Sequence, residues 1–303
     1  MASTMTSELS NPLLSVVIPC HNAAAMLGTQ LDALIRQRWR HPWEIVLVDN
    51  CSTDSLMEVV RKYRHSLPQL RIVTAYERKS QAYALNTGIA QARSTAIAMC
   101  DADDEVAPGW VQAMGDALLE QEAVAGRIDT RKLNPAWLQA TFGQHPQQEG
   151  LQTSFYPPYF RHAGSGNFGI RRQIHSTVGG FDEAIPYLFD TEYCWRLHEA
   201  GVRLHYSADA LVHIRLRATL RGIYVQSRNW SQWEVLVAQK AQTMSHRDWW
   251  RWRAYMGQWV TVMKRTPSLL EHKETRALLA WRVGRLVGRL HGAVQFGCPP
   301  LEG

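Results

Sequence analysis

Short apolar runs alternate with helically spaced apolar positions over the first hundred residues. Leu14-Ser-Val-Val-Ile-Pro19 is β-branched and stops at proline, which predicts a strand. Leu27, Leu31, Leu34 and Ile35 recur at helical spacing and predict a helix over Ala25–Arg38. Glu44–Asp49 predicts a second buried strand that ends in a carboxylate. Ser52 or Thr53 can cap a helix over Asp54–Tyr63. Leu70–Thr74 predicts a third strand, Gln81–Ala92 a third helix and Ala96–Cys100 a fourth strand, which runs into Asp101-Ala-Asp103-Asp104. Strands separated by amphipathic helices are βαβ units, so the class is α/β with a mostly parallel sheet.

The pattern then loosens. Residues 127–163 carry Pro135, Pro146, Pro157 and Pro158 and a Gln-rich stretch, Gln144–Gln152, and read as long loops. Asp190–Gly201 predicts a helix with a glycine stop, and Leu204–His213 one or two short strands. Arg217–Gln295 predicts helices broken near Thr243–His246 and at Pro267. The expected organisation is a disordered lead-in (1–12), an α/β domain (13–216) and a helical extension (217–303).

Charge sharpens this division. The chain of 303 residues carries a formal +6, but residues 1–213 sum to −4 and residues 214–303 to +10. Seven of the 12 tryptophans lie in the same basic part: Trp230, Trp233, Trp249, Trp250, Trp252, Trp259 and Trp281. A basic pI raises nucleic acid as a partner, but this asymmetry makes an anionic membrane surface, met through residues 245–303, at least as good, and no nucleic acid is expected. Leu279, Val283, Leu286 and Leu290 form an apolar stripe beside Arg282, Arg285 and Arg289. That helix can lie on anionic lipid, or it can pack its stripe on the body and leave the arginines solvated. No apolar run is long enough to cross a bilayer, and Met1–Asn11 lacks the features of a signal peptide. Five scattered cysteines without a CxxC pair suggest reduced thiols in a cytoplasmic protein.

Open α/β sheets bind ligands at the carboxyl ends of their strands. Three strand ends are polar here: Pro19-Cys-His-Asn22, Asp49-Asn-Cys-Ser-Thr-Asp54 and Asp101-Ala-Asp103. No GxGxxG follows the first strand and no GxxxxGK[ST] occurs, so dinucleotide and Walker-type phosphate loops are unsupported. Asp101 and Asp103 can converge on one hard cation that also takes diphosphate oxygens. Asp49 can accept from a base imide or a ribose hydroxyl, whereas Asp54 reads as a helix cap or Asx-turn with Ser52. Cys20, Cys51 and Cys100 stand beside these motifs with no base to activate them and read as small buried hydrophobes.

In order and at matching spacing, Pro19-Cys-His-Asn22, Val48-Asp-Asn-Cys-Ser-Thr-Asp54, Ala84-Leu-Asn-Thr-Gly-Ile89 and Cys100-Asp-Ala-Asp-Asp104 are followed by Gly179-Gly-Phe-Asp-Glu183 and Asp190-Thr-Glu-Tyr-Cys-Trp-Arg196. This set resembles family 2 glycosyltransferases of the GT-A fold, over roughly Leu13 to Thr219; Ala125–Asp129 and Arg215–Gly222 look like an actinobacterial-type subgroup. The resemblance implies inverting transfer of a sugar from a nucleotide-sugar, a UDP-sugar above all, to a glycan, lipid-linked or small-molecule hydroxyl, with Mn2+ or Mg2+ bound. It assigns general base catalysis to Asp190 and metal binding to Asp103 and His213. Donor binding falls to Pro19, His21, Asn22, Asp49, Asn50, Arg78, Asp101, Ala102, Gly166 and Asn167. Without the resemblance, His213 reads as a core histidine.

Two positions depart from the family pattern. Phe189 replaces the Glu of the Glu-Asp pair, and Leu85 stands where an arginine is common, with Arg78 or Lys79 as possible substitutes. These departures carry the rival expectation: a catalytically degenerate nucleotide-sugar-binding or scaffolding protein.

Overall fold

The computed structural model describes residues 11–154, 159–241, 250–269 and 272–300. Most of the expected lead-in and the expected break at Thr243–His246 lie outside these residues. The elements run β1 (Leu14–Cys20), α1 (Ala24–Ile35), β2 (Trp43–Asp49), α2 (Leu56–Tyr63), β3 (Leu70–Thr74), α3 (Gln81–Gln91), β4 (Ala96–Cys100), β5 (Glu105–Val106) and α4 (Trp110–Glu120). Then come β6 (Ala123–Asp129), α5 (Ala136–Phe142), β7 (Gln152–Thr153), β8 (Arg161–His162), β9 (Asn167–Arg171), α6 (Arg172–Thr177), α7 (Phe189–Glu199) and β10 (Leu204–His213). The chain closes with α8 (Leu220–Lys240), α9 (Trp250–Leu269) and α10 (Lys273–Phe296).

One mixed sheet carries the molecule, in the order β3-β2-β1-β4-β9-β6-β10-β5. β1 pairs in parallel with β2 and β4, and β2 with β3, as the βαβ pattern requires. Two apolar layers cover the faces. α1 and α4 bury Leu27, Leu31, Leu34, Trp110 and Met114 against one face. α3 and α7 bury Leu85, Ile89, Tyr193 and Leu197 against the other.

Three elements differ from expectation. Asn167, expected among the donor-binding residues, opens β9, which enters the sheet centre antiparallel to β4 and β6. Gly169 makes room there, since a Cβ would meet Met114 Sδ at 2.7 Å. Leu204–His213 is one strand, with a register shift between Ser207 and Leu211. α9 continues past Pro267 to Leu269, so the helix is not broken at the proline.

The extension packs on protein. Gly284, Gly288 and Gly292 fall on one line of α10, and a Cβ at any of them would collide with the Tyr224, Arg228 or Gln232 carbonyl of α8. The two helices therefore run parallel in backbone contact. Leu279, Val283, Leu286 and Leu290 turn onto Tyr255, Trp259 and Val262 of α9. Arg289, expected in a basic stripe, is 1% exposed and sits 3.3 Å from Glu234 Oε2. The stripe expected to choose between lipid and protein has protein on it. α8 also reaches the body, where Lys240 Nζ lies 2.8 Å from Asp182 and 3.0 Å from the buried Glu192 of α7.

Candidate active site

The loops after β1, β2, β3 and β4 open at one edge of the sheet and are riveted to one another. Asn22, held at φ 51°, accepts the Thr53 N–H at 2.8 Å and donates its own N–H to Ser52 Oγ at 3.2 Å. Asp54 Oδ2 accepts the Ala24 N–H at 2.8 Å and Oδ1 the Leu56 N–H at 3.3 Å, so it caps two helices. The Asn50 amide donates to the Ala75 and Arg78 carbonyls, and its oxygen accepts the Ser80 N–H at 2.9 Å. Its carbonyl takes His21 Nδ1 at 2.8 Å, while His21 Nε2 faces the Asn22 amide at 3.3 Å. A carbonyl only accepts, so His21 carries its proton on Nδ1.

This network changes the roles of several expected donor residues. Asn50 and Asn167 are buried, with their amides fully engaged. Asn167 donates to the Arg127 and Ala210 carbonyls and accepts from Trp110 Nε1 at 2.9 Å, locking β9 between its neighbours. Neither amide faces the cleft. Ala102 packs in the core and Pro19 pairs with Val48 in the sheet, so these two offer a ligand backbone more than side chain.

Asp49, Asp101, Gly166 and Arg78 lie on the strand-end segments of this edge. Asp49 is buried; Oδ1 accepts the Ser52 N–H at 3.1 Å and Oδ2 the Tyr76 hydroxyl at 2.5 Å. Asp101 Oδ1 accepts from Gln81 Nε2 at 2.9 Å. Gly166 passes so near that a Cβ would stand 2.7 Å from Asp101 Oδ2. Arg78 reaches Glu183 Oε2 at 3.2 Å, and Asn86 holds the other Glu183 oxygen at 2.9 Å.

Asp101, Asp103 and Asp104 bring one oxygen each within 4.8 Å of one another. Burial, then the charges of Asp103 and Asp190, push Asp101 up to about 7. Burial and the two neighbouring carboxylates push Asp104 well up too. Crowded carboxylates of this kind take up protons or a cation, and an all-oxygen donor set suits Mg2+ or Mn2+. Arg217 Nη1 stands 3.8 Å from Asp103 Oδ2, while the Arg215 N–H bonds Asp104 Oδ1 at 2.8 Å.

His213 is not in that cluster. β10 sets it opposite Glu105 and Asp129, and its Nδ1 lies 3.0 Å from Asp129 Oδ2. Asp129 also holds Arg131 Nε at 2.6 Å; these bonds outweigh burial and keep its carboxyl low. The carboxylate beside Asp101 and Asp103 is Asp104 instead.

Asp190 is the second residue of α7, beside the aromatic core. Phe189 buries its ring 5.3 Å from Phe181, so the position where the family carries Glu belongs to packing here. Leu85 is likewise core. Asp190 Oδ2 accepts the Ser165 N–H at 3.1 Å and Oδ1 the Thr191 N–H at 2.8 Å. Burial nonetheless raises its pKa above the ordinary carboxylate range. Burial also raises the thiols of Cys20 and Cys100, which removes them as nucleophiles.

Tyr76, Gln81 and Arg217 are not among the expected site residues. Arg217 had a signal, lying four residues after His213 in a basic run. Tyr76 and Gln81 had none, because their roles come from loop geometry. Asp104 was visible as the third carboxylate of its turn.

The family model of Glycosyl transferase family 2 matches residues 15–179. Glycosyltransferase AglE of Haloferax volcanii is 32% identical over 213 residues, covering 68% of this chain and 67% of that protein. The Escherichia coli K12 protein described as uncharacterized glycosyltransferase YibD is 32% identical over 124 residues, 41% of this chain and 34% of its own length. The chain thus spans only about a third of some curated relatives it matches. Among solved structures, the mannosyltransferase PcManGT of Pyrobaculum calidifontis, in complex with GDP-Man and Mn2+, superposes with a TM-score of 0.64 at 18% identity, covering 94% of this chain and 88% of that one. S. aureus TarS 1–349 with UDP-GlcNAc gives 0.53 at 14%, covering 94% and 92%. These likenesses are of fold, a GT-A fold. With more than half of its length matched by the family model, the chain belongs to glycosyl transferase family 2.

Proposed function

We propose that the protein transfers a sugar, with inversion, from a nucleotide-sugar to a hydroxyl of a glycan or lipid-linked acceptor. The observation that carries this is the two-residue step Ser165–Gly166. The Ser165 N–H holds Asp190, and Gly166 lies against Asp101. A carboxylate with a raised pKa and a carboxylate cluster are thereby fixed on the two sides of one backbone segment. Inverting displacement needs one base for the acceptor proton and a cation for the leaving diphosphate. Asp190 Oδ2 is assigned the proton. Asp103, with Asp101 and Asp104, would hold a divalent cation, which supplies positive charge to the diphosphate oxygens as the bond breaks. Arg217 adds a fixed cation on the same side. Asp49 receives the base, which is uracil in the reading favoured here, consistent with a UDP-GlcNAc complex of a relative in fold, although GDP-Man occupies another.

Phe189 and Leu85 pack in the apolar core, so both departures are accommodated by the fold; nucleotide-sugar binding without turnover in the parent would favour the binding-only alternative. Five unpaired thiols fit the cytoplasmic side. Asp103→Ala is expected to abolish Mn-dependent binding of UDP, read by calorimetry, together with transfer. Undiminished Mn-dependent binding in that variant contradicts the metal assignment.

A further inference from the structure

In the basic, Trp-rich part of the chain, one face of α9 is left open by the described residues. On α9, Tyr255, Trp259 and Val262 pack toward α10. Trp252, Met256, Val260 and Met263 are instead between 40% and 62% exposed. At about 100° per residue these four fall within about 80° of arc, over about 16 Å of helix. Arg253 and Lys264, both exposed, continue the same arc on its outer side. Residues 250–269 contain four cations and no carboxylate.

We propose that this face of α9 docks on an anionic phospholipid surface, with the helix lying in the plane of the headgroups. The apolar arc would sink toward the acyl boundary, where tryptophan is at home, and the flanking cations would meet phosphate groups. Charge selects this occupant. A second copy seated on the same face would bring two carboxylate-free cationic helices together, which is repulsive. No helix among the described residues is long and apolar enough to cross a membrane, so contact would be peripheral. The inference does not rest on the assignment of the base or the metal.

The test is co-sedimentation of the full chain with vesicles of phosphatidylcholine alone or mixed with phosphatidylglycerol. Binding to the mixed vesicles only, weakening as salt rises, is expected. Met256→Glu with Val260→Glu should reduce the bound fraction at least tenfold while melting at the temperature of the parent, since both side chains face solvent. Arg253→Gln and Lys264→Gln should each reduce partitioning about fivefold. Absence of vesicle binding overturns the proposal, as does binding that both sets of variants leave unchanged. Elution as a dimer that the Met256→Glu, Val260→Glu variant converts to monomer also overturns it, by showing that a second copy covers the face.

Discussion

The Tyr76 hydroxyl donates to Asp49 Oδ2 at 2.5 Å, from a ring that is itself 58% exposed. Asn50 fastens the loop on both sides of Tyr76, through the Ala75 and Arg78 carbonyls, so the ring stands where it does by construction. A base imide N–H approaching Asp49 meets a donor already in place. Tyr76→Phe is therefore expected to tighten UDP binding about tenfold, the worth of one hydrogen bond to a charged group. Calorimetric titration with Mn2+ present checks this; an unchanged or weaker Kd means the hydroxyl does not compete with the base.

The crowding of Asp101, Asp103 and Asp104 makes stability depend on pH and on metal together. Asp101 titrates near 7 when folded and near the ordinary carboxylate value when unfolded. Between those values the folded chain holds the extra proton, so raising the pH costs stability, and the loss is complete above about 7. Manganese binds the ionised carboxylates. Its stabilisation, read as a rise in melting temperature, should be small near pH 5 and grow through pH 7. A metal-induced rise that does not vary with pH would show that these carboxylates are not its ligands.

Lys240 joins the last turn of α8 to Asp182 and to the buried Glu192, two residues after Asp190. Glu192 keeps Arg196, at 2.9 Å, when the lysine is removed. Lys240→Met should therefore lower stability by only about 1 kcal/mol, since the lysine is partly exposed. Its larger effect should fall on kcat, through the setting of α7, with KM for the donor little changed. Loss of donor affinity without loss of kcat would argue against this link.

The glycine line on α10 gives a sharper test of how the extension is built. Gly288→Ala should destabilise the protein by about 1–3 kcal/mol, because the Arg228 carbonyl leaves no room for a methyl group and the helices must part. Chemical denaturation measures it; a neutral substitution would mean that α8 and α10 are not in backbone contact.

Much of this molecule could be read along its chain. β1, β2 and β4 and their helices announce themselves because each apolar run is buried inside the sheet, where burial dictates composition, whereas β3, at the sheet edge, is only partly buried and shows itself by its short β-branched run. Asp54 as a cap and the Asp101–Asp104 turn were legible for the same local reasons. β9 was not, because Gly164–Gly169 carries loop residues, and only the gap between β4 and β6 makes Gly169 necessary in a strand. Asn50 and Asn167 look like ligand groups, but long-range backbone contacts use up their amides. Arg282, Arg285 and Arg289 look alike in sequence, yet Glu234, 55 residues away, draws Arg289 inside.

In the proposed reaction Asp190, held by the Ser165 N–H, takes the acceptor proton. The most direct test of this step sets turnover against binding in Asp190→Asn, which keeps the shape and one acceptor oxygen for Ser165 while giving up the bond from the Thr191 N–H. Manganese-dependent UDP binding should stay within about twofold of the parent, while sugar transfer falls by about 10²–10⁴. In the parent, transfer should decline on acidification from a pH above the ordinary carboxylate range, because burial raises the Asp190 pKa and only the ionised form accepts a proton. An Asp190→Asn enzyme that transfers sugar at the parental rate would contradict the account.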